Sequence, residues 1–559
     1  MKLEEIKLQS GDWLWNASML GFINIVGREN VNFNESENTI SLSKDVLTDF
    51  QEKYFEYLIE TYKLTLPWYR IISFEPKIRQ MRANSYSEFT YDGLKSLNSY
   101  IDVAKKYIKS NSFISAFDLI GESERIIELG KKLTKIKEPK EAKYEESKAD
   151  IVKDVDIQLG FIEEIIEYFK TEKAKKYVAA KNVMYTVIKN GWNGVSFLYR
   201  QTKFKDMYED YNKSFVTPAR EYIEADKEKY KLNCFVCGLP VKDANNNMSF
   251  LNKVGFDTNR KASHVWDFQN DTFICPLCRL IYSCLPAGMT YFSNSGIYLN
   301  AGMNLEYNYR LNNEIKGKVY DAGDNIGSSG IYKALIQTMN NEKVQRTEYE
   351  IADIQVVRYE NETYSFNLIP RITSEYIKQN YNDISLLSNT WYKEGNDWYS
   401  VYNDVVKRIF NNQNLFSLIY KLLHYRIASP SNCRYNAYHV YKMVELNMKL
   451  LKIIGGIKME YADKEKTIAE QAKNSGYYLR TAYDNRDKLP GISYRLLNAL
   501  KTNNRSAFMD TLLNCYLYVG KEVPKIFVKS FEDDKVFQTI GYAFVSGLID
   551  DKSKSKEDK

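Results

Sequence analysis

Two short stretches, "NCFVCG" at 233–238 and "CPLC" at 275–278, place four of the chain's seven cysteines in a pair of CxxC motifs. A CxxC turn presents two thiolates from one tight loop with backbone N–H groups facing the sulfurs. Two such turns complete the four-ligand shell of a tetrahedral zinc. The segments carrying Cys234, Cys237, Cys275 and Cys278 must then converge wherever the intervening chain goes. Gly238 stands where such a turn needs a left-handed residue, and Pro276 stiffens the second turn. The spacer 238–274 is thirty-seven residues long, beyond the roughly 15–20 residues of a minimal ribbon. It reads as an insertion folded on the two turns. Four thiolates leave no open position for a catalytic water, so the zinc is expected to be structural. His264 and Cys284 would each displace a cysteine from a full shell. Both read as non-ligands, Cys284 as a small buried hydrophobe.

The rest of the composition places this centre in a large globular chain. The 559 residues suggest three or four domains, and 44% hydrophobic against 27% charged residues supports sizeable cores. No run of about 18 apolar residues could cross a bilayer. The start "MKLEEIKLQSGDW" has acids and a tryptophan where a secretory signal needs a basic start and an apolar run. A cytoplasmic location is expected, in keeping with few cysteines and a reducing compartment that favours metal ligands over disulfides. The net charge of +6, from 78 basic and 72 acidic residues, is too small for a wholesale polyanion binder. Any nucleic-acid surface must be local: Lys253, Arg260 and Lys261 in the insertion are candidates for phosphate contact. The 45 tyrosines read mainly as packing residues.

The expected fold class is α+β and multidomain: a mixed N-terminal domain, a central zinc-knuckle module with a β-rich segment, and a C-terminal helical bundle. Residues 1–130 read as an α/β domain. Trp13, Asn16, Ala17 and Leu20 sit at helical spacing, Gly21 weakens the helix, and "NTISLS" makes a strand before a long helix that Ser43 or Asp45 caps. Residues 131–154 are nearly all Lys, Glu and small residues around Pro139 and read as a solvated linker or loop. A helical segment over 155–230 leads to the zinc module at 231–290. A β-rich domain follows over 291–390, with a hairpin in "EIADIQVVRYENETYSFNLIP". The stretch 391–550 reads as the helical bundle, and 551–559 as a disordered tail.

A search for catalytic groups finds no constellation. The histidines His264, His424 and His439 pair with no nucleophile motif. The glycines Gly317, Gly323, Gly327 and Gly330 lack the lysine of a phosphate-binding loop and read as turns and a helix start. Asp533 and Asp534 read as solvation rather than metal ligation. A non-enzyme is expected, with a metal-dependent nuclease or a stand-alone zinc-containing nucleic-acid-binding protein as alternatives.

The two CxxC pairs, the "WNASMLGFINIV" segment before a strand and long helix, and the final "GYYLR", "ISYRLLNAL" and "FMDTLLNCY" helices together resemble the CXXC–CXXC family of CRISPR-associated proteins. These look like the large subunit of type I-B Cascade effectors. The resemblance implies a non-catalytic subunit that works with a guide RNA and other Cascade subunits. It would read the protospacer-adjacent motif on target double-stranded DNA, support R-loop formation and recruit the helicase-nuclease. It also implies that a fragment of the C-terminal bundle could be translated separately, from Met443 or Met448 rather than Met459. Arg480, Arg486 and Lys488 would then face the displaced strand.

Overall fold

The computed structural model describes residues 3–121, 123–254, 273–292, 295–302, 304–321, 329–340, 354–360, 362–454 and 467–550. His264, Arg260, Lys261, Gly323, Gly327, Met459 and the 551–559 tail lie outside the described residues. The chain divides into two compact units, Met1–Asn325 with Val357–Ser365, and Ile326–Val356 with Phe366–Lys559.

The first unit opens with β1 (Glu5–Gln9), helix α1 (Trp13–Val26), β2 (Asn32–Asn34) and β3 (Thr39–Ser43). The strands form an antiparallel sheet in the order β1-β3-β2, with Ile6 opposite Leu42 and Leu8 opposite Ile40. Those four residues are buried, the inward set of a period-two pattern. The Asp12 carboxylate caps α1 by accepting the Trp15 N–H at 2.8 Å. Ser43 caps a short turn, Lys44–Leu47, and the following helix α2 (Phe50–Tyr62) starts only after Asp49.

Residues 131–143 are mostly exposed, as the composition of a linker or loop suggests, but the strip is pinned at two points. Leu133 and Ile136 are buried, and Asn98 accepts the Ile136 N–H and donates to its carbonyl, both at 2.9 Å. Gln158 accepts the Thr134 N–H at 2.8 Å. Two apolar anchors hold an extended strip in place because amide side chains from distant helices satisfy its backbone. From Tyr144 the chain is already helical, in α3 (Tyr144–Lys170).

Next come α4 (Thr217–Glu224), the two-residue strands β4 (Leu232–Asn233) and β5 (Pro240–Val241), α5 (Pro276–Ser283) and the single turn α6 (Leu285–Gly288). Helix α1 lies directly on α6: a Cβ on Gly21 would stand 1.9 Å from the Cys284 carbonyl oxygen, and one on Gly288 would stand 1.8 Å from that of Ala17. Gly21, which weakens the helix locally, is thus what lets α1 seat on the cysteine-bearing segment. Strands β6 (Thr290–Phe292), β7 (Ser295–Asn300), β8 (Ile354–Glu360) and β9 (Thr363–Ile369) form a sheet in that order, and β8 and β9 are the strands of the expected hairpin. The 291–390 stretch is not β-rich throughout, since helix α7 (Leu305–Asp321) and others occupy much of it. Gly317 lies inside α7 rather than in a turn.

The second unit carries a small sheet as well as helices. Strands β10 (Trp391–Glu394), β11 (Asp397–Ser400) and β12 (Cys433–Arg434) pair in the order β11-β10-β12. Around them lie α8 (Phe416–Ala428), α9 (Ala437–Ile453), α10 (Ile468–Ala482), α11 (Leu489–Lys501), α12 (Arg505–Tyr518) and α13 (Asp534–Leu548). Helix α13 is buried along nearly its whole length and forms the centre of this bundle. The strands are too short for a period-two signal to stand out beside the helices that follow them. Among the described residues, no helix is long and apolar enough to cross a membrane.

Candidate metal centre

Four sulfurs converge in the first unit. The ligand atoms of Cys234, Cys237, Cys275 and Cys278 all lie within 4.8 Å of one another, the one such cluster of potential metal-binding side chains among the described residues. A tetrahedral zinc with Zn–S bonds of about 2.3 Å requires sulfur–sulfur edges of about 3.8 Å. The Cys237 and Cys275 sulfurs are 3.8 Å apart. The residues therefore fit a tetrahedral, thiolate-bound cation in both donor chemistry and spacing.

Local backbone structure builds each half. In the first turn, Gly238 at φ 69° closes the loop and donates its N–H to the Cys234 carbonyl at 2.9 Å. The Cys234 N–H returns to the Leu239 carbonyl, and β4 pairs with β5 behind the turn. In the second, Cys275 sits at the N-cap of α5 and its sulfur accepts the Cys278 N–H at 3.3 Å. Pro276 occupies the first helical position, where its missing donor costs nothing. The halves are then stitched together. The Cys275 N–H donates to the Cys234 sulfur at 3.2 Å, and the Phe235 N–H to the Phe273 carbonyl at 3.0 Å. The described part of the insertion is anchored by the Ile274 N–H on the Asn246 carbonyl and the Asn193 N–H on the Phe250 carbonyl, each 2.9 Å.

Cys234, Cys275 and Cys278 are buried and Cys237 is partly so. As thiols the four share their protons. S–H donors from the other three cysteines and the Cys237 N–H hold Cys234 far below the ordinary thiol range, while burial, followed by hydrogen bonds to Cys234 and Cys237, pushes Cys275 and Cys278 up. A divalent cation in their midst favours the thiolate at all four. Cys284 is outside the cluster. It is buried, donates to the Leu280 carbonyl at 3.4 Å and has its thiol pushed up by burial.

Residues 227–290 match the family model of a CRISPR-associated protein, Cas_CXXC_CXXC. The matched stretch contains all four converging cysteines. No curated protein and no solved structure gives a significant match to the chain.

Two neighbours of the cluster went unread in the sequence. Tyr222, on α4, donates to the Pro240 carbonyl at 2.8 Å, and burial together with all four cysteines pushes its hydroxyl up. Lys227 lies three residues past α4, and its side chain folds back over the Tyr222 ring. Burial lowers its ammonium from the ordinary lysine range, and the charge on Cys275 pulls it back up. A lysine just past a helix's last turn was the available signal, but it reads equally as an ordinary helix end.

Of the candidate nucleic-acid residues, Lys253 is described in the first unit and Arg480, Arg486 and Lys488 in the second. Lys253, at φ 57°, lies 3.6 Å from Glu362 and is exposed. In the second unit, Arg480 donates to the Leu548 carbonyl at 3.2 Å, closing the C-terminal end of α13. Arg486 and Lys488 are exposed on a single turn. The Lys488 ammonium lies 5.3 Å from the ring centre of Tyr518, which itself stacks on Tyr483 at 4.9 Å. His439 forms a capping box with Asn436, and burial holds its imidazole below the ordinary range. Asp533 caps α13 through the Lys535 and Val536 N–H groups, and Asp534 pairs with Arg505.

Proposed function

We propose that the protein is the non-catalytic large subunit of a type I-B CRISPR effector, with a structural zinc at Cys234, Cys237, Cys275 and Cys278. The observation that carries the reading is the match of 227–290 to a CRISPR-associated family on the four cysteines that the fold gathers within 4.8 Å. In this reading the subunit joins a guide RNA and the other Cascade subunits. It recognises the protospacer-adjacent motif on target double-stranded DNA, supports R-loop formation and recruits the helicase-nuclease in the cytoplasm.

Guide pairing reads most of the target sequence, so the protein needs only a shaped, locally basic surface for a few base pairs. A net charge of +6 over 559 residues is compatible with that division of labour. A thiolate-bound zinc would make the central loops rigid without supplying chemistry. Lys253 is an exposed basic residue between the two CxxC turns, and Lys488 over the Tyr518 ring, with Arg486 two residues away, offers cation and aromatic contacts to a single strand.

The test is reconstitution with and without this chain. With it, the guide-loaded complex binds target duplex only beside the correct motif. Without it, the guide RNA remains packaged but duplex binding is lost. Equal duplex affinity in both preparations refutes the role. Elemental analysis of the purified chain should return one zinc, and well under one refutes the metal assignment.

A further inference from the structure

A divalent cation bound by four thiolates carries a net charge of −2 into a site where three of the four cysteines are buried. Placing such a charge out of water is costly unless nearby dipoles and cations offset it. The structure supplies the dipoles, in the N–H groups of Cys275 and Cys278 that face sulfur.

The cation is less obvious. Lys227 is only 3% exposed, an extreme value for a lysine. Its ammonium donates to the Ile223 and Ala225 carbonyls at 3.3 and 3.1 Å and lies 4.6 Å from the ring centre of Tyr222. The hydroxyl end of that ring is fixed on the knuckle hairpin through Pro240. Lys227 forms no ion pair among the described residues. Two carbonyls and a ring face make a good cradle, but none of them carries the full negative charge that repays the burial of an ammonium. Helix α4, whose end forms this cradle, packs against α5, which carries Cys278 and is capped by Cys275, and as a thiolate Cys275 acts on the ammonium more strongly than Asp226 or Glu224.

We propose that Lys227 is the fixed counter-charge of the metal–thiolate centre, a positioning residue that sets how firmly the metal is held and how reactive the sulfurs are. The inference rests on the zinc reading above. An adjacent buried cation lowers the energy of the loaded, anionic centre more than that of the protonated one, so it favours metal retention. It also withdraws electron density from the sulfurs and slows their attack on electrophiles. A merely helix-ending lysine would do neither, since its work would be finished at the two carbonyls.

The test separates charge from cradle. Lys227→Gln keeps side-chain donors for both carbonyls and removes the charge, whereas Lys227→Arg keeps the charge. On purified full-length protein, zinc transfer to a chromogenic chelator and alkylation of native thiols by N-ethylmaleimide are followed at a temperature where circular dichroism reports folded protein. Lys227→Gln is expected to release zinc about tenfold faster or more and to alkylate faster, with Lys227→Arg within about threefold of the unaltered chain. If Lys227→Gln does not fold while Lys227→Arg does, the requirement for charge is supported. Failure of both variants to fold, or wild-type zinc release from folded Lys227→Gln, overturns the proposal. An unaltered chain that carries no zinc overturns the metal assignment itself, a separate result.

Discussion

Substituting Gly21 with alanine tests the seating of α1 on the cysteine-bearing segment. The new Cβ would stand 1.9 Å from the Cys284 oxygen and 2.8 Å from the Gly288 nitrogen, both backbone atoms that cannot rotate away. An acceptable carbon–oxygen contact is about 3.3 Å, so α1 and α6 must part by roughly 1.4 Å. A gap of even 0.5–1 Å forfeits about a quarter to a half of each dispersion contact across it, and the residues flanking the crossing, Ala17, Leu20 and Leu285, are buried. That loss is comparable to a core truncation, roughly 3–5 kcal/mol. The gain in helix propensity returns about 1 kcal/mol, leaving a net destabilisation of roughly 2–4 kcal/mol. Gly160 supplies the control: it lies inside α3 with nothing within 4 Å of an added Cβ. Gly160→Ala should therefore stabilise by about 0.5–1 kcal/mol. Differential scanning calorimetry on both variants reads the difference. Gly21→Ala should lower the transition of the first unit by several degrees while Gly160→Ala holds or raises it. A Gly21→Ala chain melting at or above the unaltered protein would refute the close-approach account.

Four further outcomes follow from the same geometry. Cys278→Ser should abolish metal binding and the cooperative melting of the central module, read by zinc content together with calorimetry; a folded variant retaining one zinc would contradict the four-thiolate shell. Gly238→Ala should destabilise that module by about 1 kcal/mol, because φ is 69° there although space is free; chelator competition should show weaker metal retention. Asn98→Ala should cost roughly 1–3 kcal/mol by orphaning the Ile136 N–H and carbonyl, and limited proteolysis should then open the 131–143 strip. A fragment starting at Met443 loses α8, whose Phe416 packs on Tyr542 of α13 at 5.8 Å. It should aggregate unless a partner covers that face, whereas a fragment from residue 366 should give a monomeric elution profile.

The convergence of Cys234, Cys237, Cys275 and Cys278 was legible from spacing alone, because a metal shell is a covalent-scale constraint that local propensity does not override. The α1 helix, the β3 strand and the β8–β9 hairpin were legible because residue spacing, apolar and β-branched residues and a turn are signals local to each segment, whereas the burial of α1 on nearly every face was not. The anchoring of the loop after Lys132 was not legible because its partners are Asn98 and Gln158, elsewhere in the chain, and composition records only that the strip itself is poor in apolar residues. The small sheet of β10, β11 and β12 escaped notice because two- and four-residue strands carry almost no periodic signal. Lys227 and Gly21 show the sharpest division. Their identities are plain in the sequence, as an ordinary helix-end lysine and a helix-weakening glycine. Only the tertiary approach of α4 to the knuckle hairpin and of α1 to α6 makes one a buried charge over the Tyr222 ring and the other the point where two backbones touch, since burial and close contact belong to pairs of segments and not to either segment alone.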